Sequence, residues 1–134
     1  MKTSILRAAI LGLGTAFALL PGTGQASSNF QQTCSNIAFG YQNNQPAVTA
    51  TCLRANGTPN ATSLVLTGIE NRNGTLASAG GPATFQQSCG NIQVAVDNAT
   101  TVRLTAFCRM ANGAPNATAI SLDGIQNIDG TLRR

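Results

Sequence analysis

The run Cys52-Leu53-Arg54-Ala55-Asn56-Gly57-Thr58-Pro59-Asn60-Ala61-Thr62 continues through Ile69 and Asn71 to Asn73-Gly74-Thr75-Leu76. It is written a second time as Cys108-Arg109-Met110-Ala111-Asn112-Gly113-Ala114-Pro115-Asn116-Ala117-Thr118, continuing through Ile125 and Asn127 to Asp129-Gly130-Thr131-Leu132. A matching lead-in precedes each copy, Phe30-Gln31-Gln32-Thr33-Cys34 and Phe85-Gln86-Gln87-Ser88-Cys89. The lead-ins are offset by 55 residues and the second cysteines by 56, so the copies differ by one residue between their cysteines. Repeat one is residues 28–76 and repeat two 83–132, joined by a linker of small residues at 77–82 that ends in Pro82. A solenoid needs at least about three repeats to bury its faces. Two copies point instead to a pseudo-two-fold pair of lobes.

Working outward, the periodicity is that of strands. Val102, Leu104, Ala106 and Cys108 share one face, and Thr101, Arg103, Thr105 and Arg109 the other. Val48, Ala50 and Cys52 repeat the pattern, and Leu64 and Leu66 point inward as Ile120 and Leu122 do. Asn73-Gly74 and Asp129-Gly130 between short β-like runs are strong hairpin signals. Phe30–Cys34 and Phe85–Cys89 are each long enough for one helical turn. The chain reads as all-β with high turn content.

At the N-terminus, Lys2 and Arg7 precede an apolar run from Ala8 to Leu20, and Gly24-Gln25-Ala26 offers small residues for cleavage. This is the pattern of a secretory signal peptide, residues 1–26. Its apolar part is too short for a bilayer, which needs about 20 residues. Residues 27–134 then form one domain, expected to be secreted or periplasmic. They carry six arginines against Glu70, Asp97, Asp123 and Asp129, a net charge of +2. That balance is too mild to argue for nucleic acid. The four cysteines all lie in this exported part, where disulfides are expected. Four cysteines allow three pairings. Equal copies should make equal bonds, which favours Cys34–Cys52 and Cys89–Cys108. Loops of this length stabilise by roughly 3 kcal/mol each in the chain-entropy model.

With no histidine and four carboxylates, the chain lacks the usual equipment of a hydrolase or a metal site. Asp129 sits in a turn, and a glycosidase needs two carboxyls converging on one bond. No catalytic residue, metal or cofactor is assigned. Polyol binding is different, because sugar hydroxyls both donate and accept and are met by Asn, Gln, Asp, Glu, Thr and main-chain groups. There is no tryptophan, and the aromatics of the mature part are Phe30, Phe39, Tyr41, Phe85 and Phe107. That composition argues for recognition by hydrogen bonds over stacking. Asn-x-Thr triplets begin at Asn56, Asn60, Asn73, Asn98 and Asn116 and are glycan acceptors in a eukaryotic secretory pathway.

The phenylalanine ahead of each first cysteine, the Asn-Gly after each second cysteine and the ending Ile125-Gln126-Asn127-Ile128-Asp129-Gly130-Thr131-Leu132, echoed in repeat one, resemble the cyanovirin-N family of mannose-binding lectins. The resemblance covers residues 28–134. It implies two lobes, each a three-stranded sheet plus a hairpin exchanged between repeats. Lobe A would be residues 27–68 with 124–134, and lobe B 69–123. The segment around Ser78–Pro82 corresponds to the hinge at which related proteins exchange halves. The expected state is a monomer, with a domain-swapped dimer open to it but not predicted.

Carried over residue by residue, the family's first sugar site falls on Asn29, Gln32, Thr33, Leu53, Ala55, Asn127, Ile128 and Asp129. Leu53 and Ala55 stand where the family pattern has polar residues. The second falls on Glu70, Asn71, Asn73, Thr84, Gln87, Ser88, Arg109, Met110, Ala111 and Gly113. There Asn73 and Gln87 stand in for acids, and Ala111 for an arginine. The resemblance implies a non-catalytic lectin for terminal α1,2-linked mannose, with high-mannose glycans, glycoproteins or cell-surface polysaccharide as partners. The rival reading is a secreted structural or envelope module that kept the fold and lost or changed its sugar specificity.

Overall fold

The computed structural model describes residues 27–134, and the segment read as an export signal lies outside the described residues. Strands β1 (Cys34–Gln42), β2 (Gln45–Leu53) and β3 (Pro59–Val65) form an antiparallel sheet in the order β1-β2-β3. The hairpin of β4 (Thr67–Arg72) and β5 (Thr75–Pro82) follows. Repeat two rebuilds the same plan with β6 (Cys89–Val96), β7 (Val102–Arg109) and β8 (Pro115–Ser121). It closes with the hairpin of β9 (Gln126–Ile128) and β10 (Thr131–Arg133). One 3-10 turn precedes each three-stranded sheet, at Phe30–Gln32 and Phe85–Gln87.

The alternation read in the sequence sets the core. Val48, Ala50, Cys52, Val102, Leu104, Ala106 and Cys108 are buried. Leu66 and Leu122 are buried with them, while Leu64 and Ile120 pack partly buried against the same core. Phe30 and Phe85, from the two 3-10 turns, are fully enclosed. Enclosing a side chain of that size stabilises by about 1.5–3 kcal/mol. The cysteines stand directly opposite each other across β1–β2 and β6–β7, and the bonds are Cys34–Cys52 and Cys89–Cys108.

Each hairpin docks on the sheet of the other repeat. Leu132 N donates to Thr62 Oγ1 at 3.2 Å, and Asn60 Nδ2 donates to Gly130 O at 2.8 Å. In the pseudo-symmetric pair, Leu76 N donates to Thr118 Oγ1 at 3.1 Å and Asn116 Nδ2 to Gly74 O at 2.8 Å. Two of the Asn-x-Thr triplets, those at Asn60 and Asn116, are therefore docking clamps for the exchanged hairpins. A glycan on either amide would take the nitrogen that holds Gly130 or Gly74.

Asn73 and Gly74 have φ of 51° and 90°, and Asp129 and Gly130 have 51° and 87°, the geometry of two-residue hairpin turns. A third turn of this kind was not anticipated. Asn43 and Asn44 close β1–β2 at φ of 52° and 65°, with asparagine occupying positions where glycine is the usual resident. Asn36 and Asn91, at φ of 54° and 49°, mark bulges in β1 and β6.

The linker expectation is corrected by the strand assignment. Residues 77–82 continue β5, with Ile69 opposite Ser78 and Thr67 opposite Pro82. Gly68, at φ of 69°, leaves space for the opposing strand, since a Cβ there would lie 2.8 Å from Ala79 O.

The extra residue of repeat two lies at a strand connection. Tyr41 pairs with Pro46, whereas the matching Val96 pairs with Val102, one residue further on. The longer loop reaches repeat one, where Gln31 Nε2 donates to Asn98 O at 3.0 Å and Gln32 Nε2 to Ala99 O at 2.9 Å. Its base is held by Arg103 against Asp97 at 2.6 and 3.1 Å. The hydrogen bond from that guanidinium, reinforced by its charge, keeps the Asp97 carboxyl below its ordinary range.

Candidate functional site

Each repeat brings its predicted residues to one end of the molecule, where three segments meet: the 3-10 turn, the loop after the second cysteine, and a hairpin from the opposite half. Main-chain bonds join the first two. Leu53 N donates to Thr33 O at 3.0 Å, and Arg109 N to Ser88 O at 2.9 Å. One asparagine locks in the hairpin at each end. Asn127 Nδ2 donates to Thr33 Oγ1 and Leu53 O, both at 2.9 Å, while its Oδ1 accepts Gly130 N at 2.8 Å. Asn71 does the same with Ser88 Oγ at 2.8 Å, Arg109 O at 2.9 Å and Gly74 N at 2.7 Å. Both hydrogens of each amide are thus spent inside the protein, and a ligand is left only acceptor capacity.

The hairpin tips are pinned as well. Asp129 Oδ1 accepts Ala55 N, and Asn73 Oδ1 accepts Ala111 N, both at 2.8 Å. These contacts explain why Leu53, Ala55 and Ala111 need no polar side chain to hold their loops, because their main-chain groups do the holding.

The two ends then diverge. In the first cluster the Gln32 amide is taken by Ala99 O, and Asn29 and Ile128 are exposed at its edge. Arg54 folds back on its own loop, donating to Asn60 Oδ1 at 2.7 Å. In the second cluster Met110 occupies the Arg54 position and lies against Gly74. Thr84 is bound through its main chain, with its N–H donating to Ile69 O at 3.0 Å. Glu70 is held by Arg72 at 2.5 and 2.9 Å. The Arg109 guanidinium makes no ion pair or hydrogen bond among the described residues.

A concavity of about 350 Å³ opens at the second cluster. Gln87, Ser88, Arg109 and Gly113 line it as predicted residues, together with Gly90, Phe107 and Pro115, which the sequence reading missed. Asn71 and Thr84 brace this lining through Ser88, Arg109 and Gln87, whereas Glu70, Asn73, Met110 and Ala111 do not line it. Phe107 could have been found. The alternation that turns Arg103, Thr105 and Arg109 outward turns Phe107 outward with them. The cavity size falls within the range of sites that hold small ligands. Chemically it offers a free cation, an amide, a hydroxyl and main-chain groups on a disulfide-braced support.

The CVNH domain family model matches residues 30–133. The chain belongs to the CVNH domain family. Among similar solved structures is the microvirin:mannobiose complex, 31% identical over 79% of this chain and 97% of that one, with a TM-score of 0.58. The CVNH protein of T. borchii is 26% identical, with coverage of 78% and 97% and a TM-score of 0.61. A designed cyanovirin-N homolog lectin, LKAMG, is 25% identical, with coverage of 78% and 97% and a TM-score of 0.58.

Proposed function

We propose that this protein is an exported lectin that binds terminal α1,2-linked mannose without chemical turnover, and that its principal site is the second cluster. The observation that carries the reading is the concavity where the unpartnered Arg109 guanidinium meets Gln87, Ser88 and Gly113. Adjacent sugar hydroxyls suit such a mixed set, and the disulfide and hairpin clamps hold it in place so that little ordering cost falls on binding. The solved complex of microvirin with mannobiose supports mannose as the first ligand to try. Export is supported by two disulfides.

Recognition without bond breaking fits the carboxylates, each of which is engaged. Glu70 and Asp97 face arginines, Asp123 accepts Ser121 Oγ at 2.7 Å, and Asp129 holds Ala55 N. A second reading, a structural module with no sugar affinity, is favoured at the first cluster, where both amide hydrogens of Asn127 and one of Gln32 are spent on the protein. Calorimetric titration with α1,2-linked mannobiose separates the two. The lectin predicts saturable heat that Arg109→Ala weakens about tenfold, the scale of one charge-assisted hydrogen bond. An unchanged titration in Arg109→Ala removes the second cluster from the reading.

A further inference from the structure

The outer face of β7 carries Arg103, Thr105, Phe107 and Arg109 in succession. At 3.2–3.4 Å per residue these four side chains span about 20 Å. Phe107 is 49% exposed, in a chain that encloses Phe30 and Phe85 completely. Its cross-strand neighbours are Gly90 on β6 and Ala117 on β8. Neither has a side chain that can cover the ring, and a Cβ built at Gly90 would meet nothing within 4 Å. Phe107 also lines two concavities at once. One is the 350 Å³ space of the second cluster, and the other is a 470 Å³ space on the sheet face, where Asn91, Gln93, Arg103 and Thr105 supply polar groups. The two spaces therefore adjoin at the ring.

We infer that Phe107 is a stacking platform that joins these two spaces into one groove for a linear oligosaccharide of three or more units. The inference rests on the lectin reading of the second cluster and extends it from a terminal disaccharide to a chain. A pyranose presents hydroxyls at its rim and C–H bonds on its face. An exposed ring flanked by amides and a hydroxyl meets both, the ring taking the apolar face. The ion pair of Arg103 with Asp97 holds the far end of the strip in place. Repeat one lacks the device, because Thr51 stands at the matching position of β2. The sequence had argued against stacking from the scarcity of aromatics. The placement of Phe107 supplies a ring where the two polar spaces adjoin, which composition alone does not reveal.

The test is calorimetric titration of the purified protein with α1,2-linked mannobiose and with linear α1,2-linked mannotetraose. The wild type binds the tetrasaccharide about tenfold more tightly than the disaccharide, the scale of one buried aromatic contact. Phe107→Ala collapses that ratio to near one, and Phe107→Tyr restores it. Tyr41→Ala, which removes the other aromatic exposed among the described residues, leaves the ratio intact. Equal affinity for both sugars in the wild type, or a ratio that survives Phe107→Ala, overturns the groove while leaving the disaccharide site standing. Failure of both sugars to bind overturns the lectin reading and the groove with it.

Discussion

Single asparagines carry an unusual share of this structure. Asn127 and Asn71 each tie three segments together through one amide, and the repeat of that geometry at both ends marks it as a building rule of the fold. Asn127→Ala leaves Leu53 O, Thr33 Oγ1 and Gly130 N without their partner. The expected cost is about 1–3 kcal/mol, the penalty for leaving such groups unsatisfied. Urea unfolding measures it, and a midpoint equal to wild type would show that the three bonds are replaced by water. Residues were legible in the sequence as polar and turn-forming, but their partners were not. Asn127, read as a ligand contact, spends both amide hydrogens up to 94 positions away in the chain. A local pattern cannot reveal a partner that only the folded topology brings near.

Among the elements, the exchanged hairpins were the part of the fold that periodicity could not supply. Alternation placed β2 and β7 and their buried faces correctly, because a period of two with one apolar face has one low-energy orientation. It said nothing of which sheet would receive β9–β10, and the resemblance to a family provided that. The glycine in each hairpin turn is needed twice over, for its φ and for its neighbours. A Cβ at Gly130 would lie 2.8 Å from Arg54 Cγ, whereas one at Gly57, also at φ of 87°, meets nothing within 4 Å. Gly57→Ala should therefore cost only the backbone strain, roughly 1–3 kcal/mol. Gly130→Ala should cost more, with the hairpin loosened. Thermal unfolding of the two variants side by side tests the ranking, and equal losses would mean that Arg54 simply moves aside. The small-residue run at 77–82 was misread for a related reason. Ala, Ser and Gly look like a linker in composition, yet here they fit the close approach of β5 to Gly68.

For the molecule as a whole, each sheet is completed by a hairpin encoded in the other repeat, and buried side chains of both repeats form one continuous core. The gene-level repeat is therefore not the folding unit. Repeat one expressed by itself with the whole of β5, residues 28–82, should give a collapsed amide spectrum, because β3 lacks β10 and β4–β5 lacks β8. Dispersed native-like signals from that fragment would contradict the exchange. The pseudo-symmetry of the scaffold also sharpens the functional question, since the same clamps build both ends but the free groups differ. The measurement that bears most directly on the central claim is an amide NMR titration of residues 27–134 with α1,2-linked mannobiose. The lectin reading predicts saturable shifts at Gln87, Ser88, Arg109 and Gly113, with smaller or absent shifts at Gln32, Thr33, Asn127 and Asp129. No shift at either cluster at millimolar sugar would contradict it.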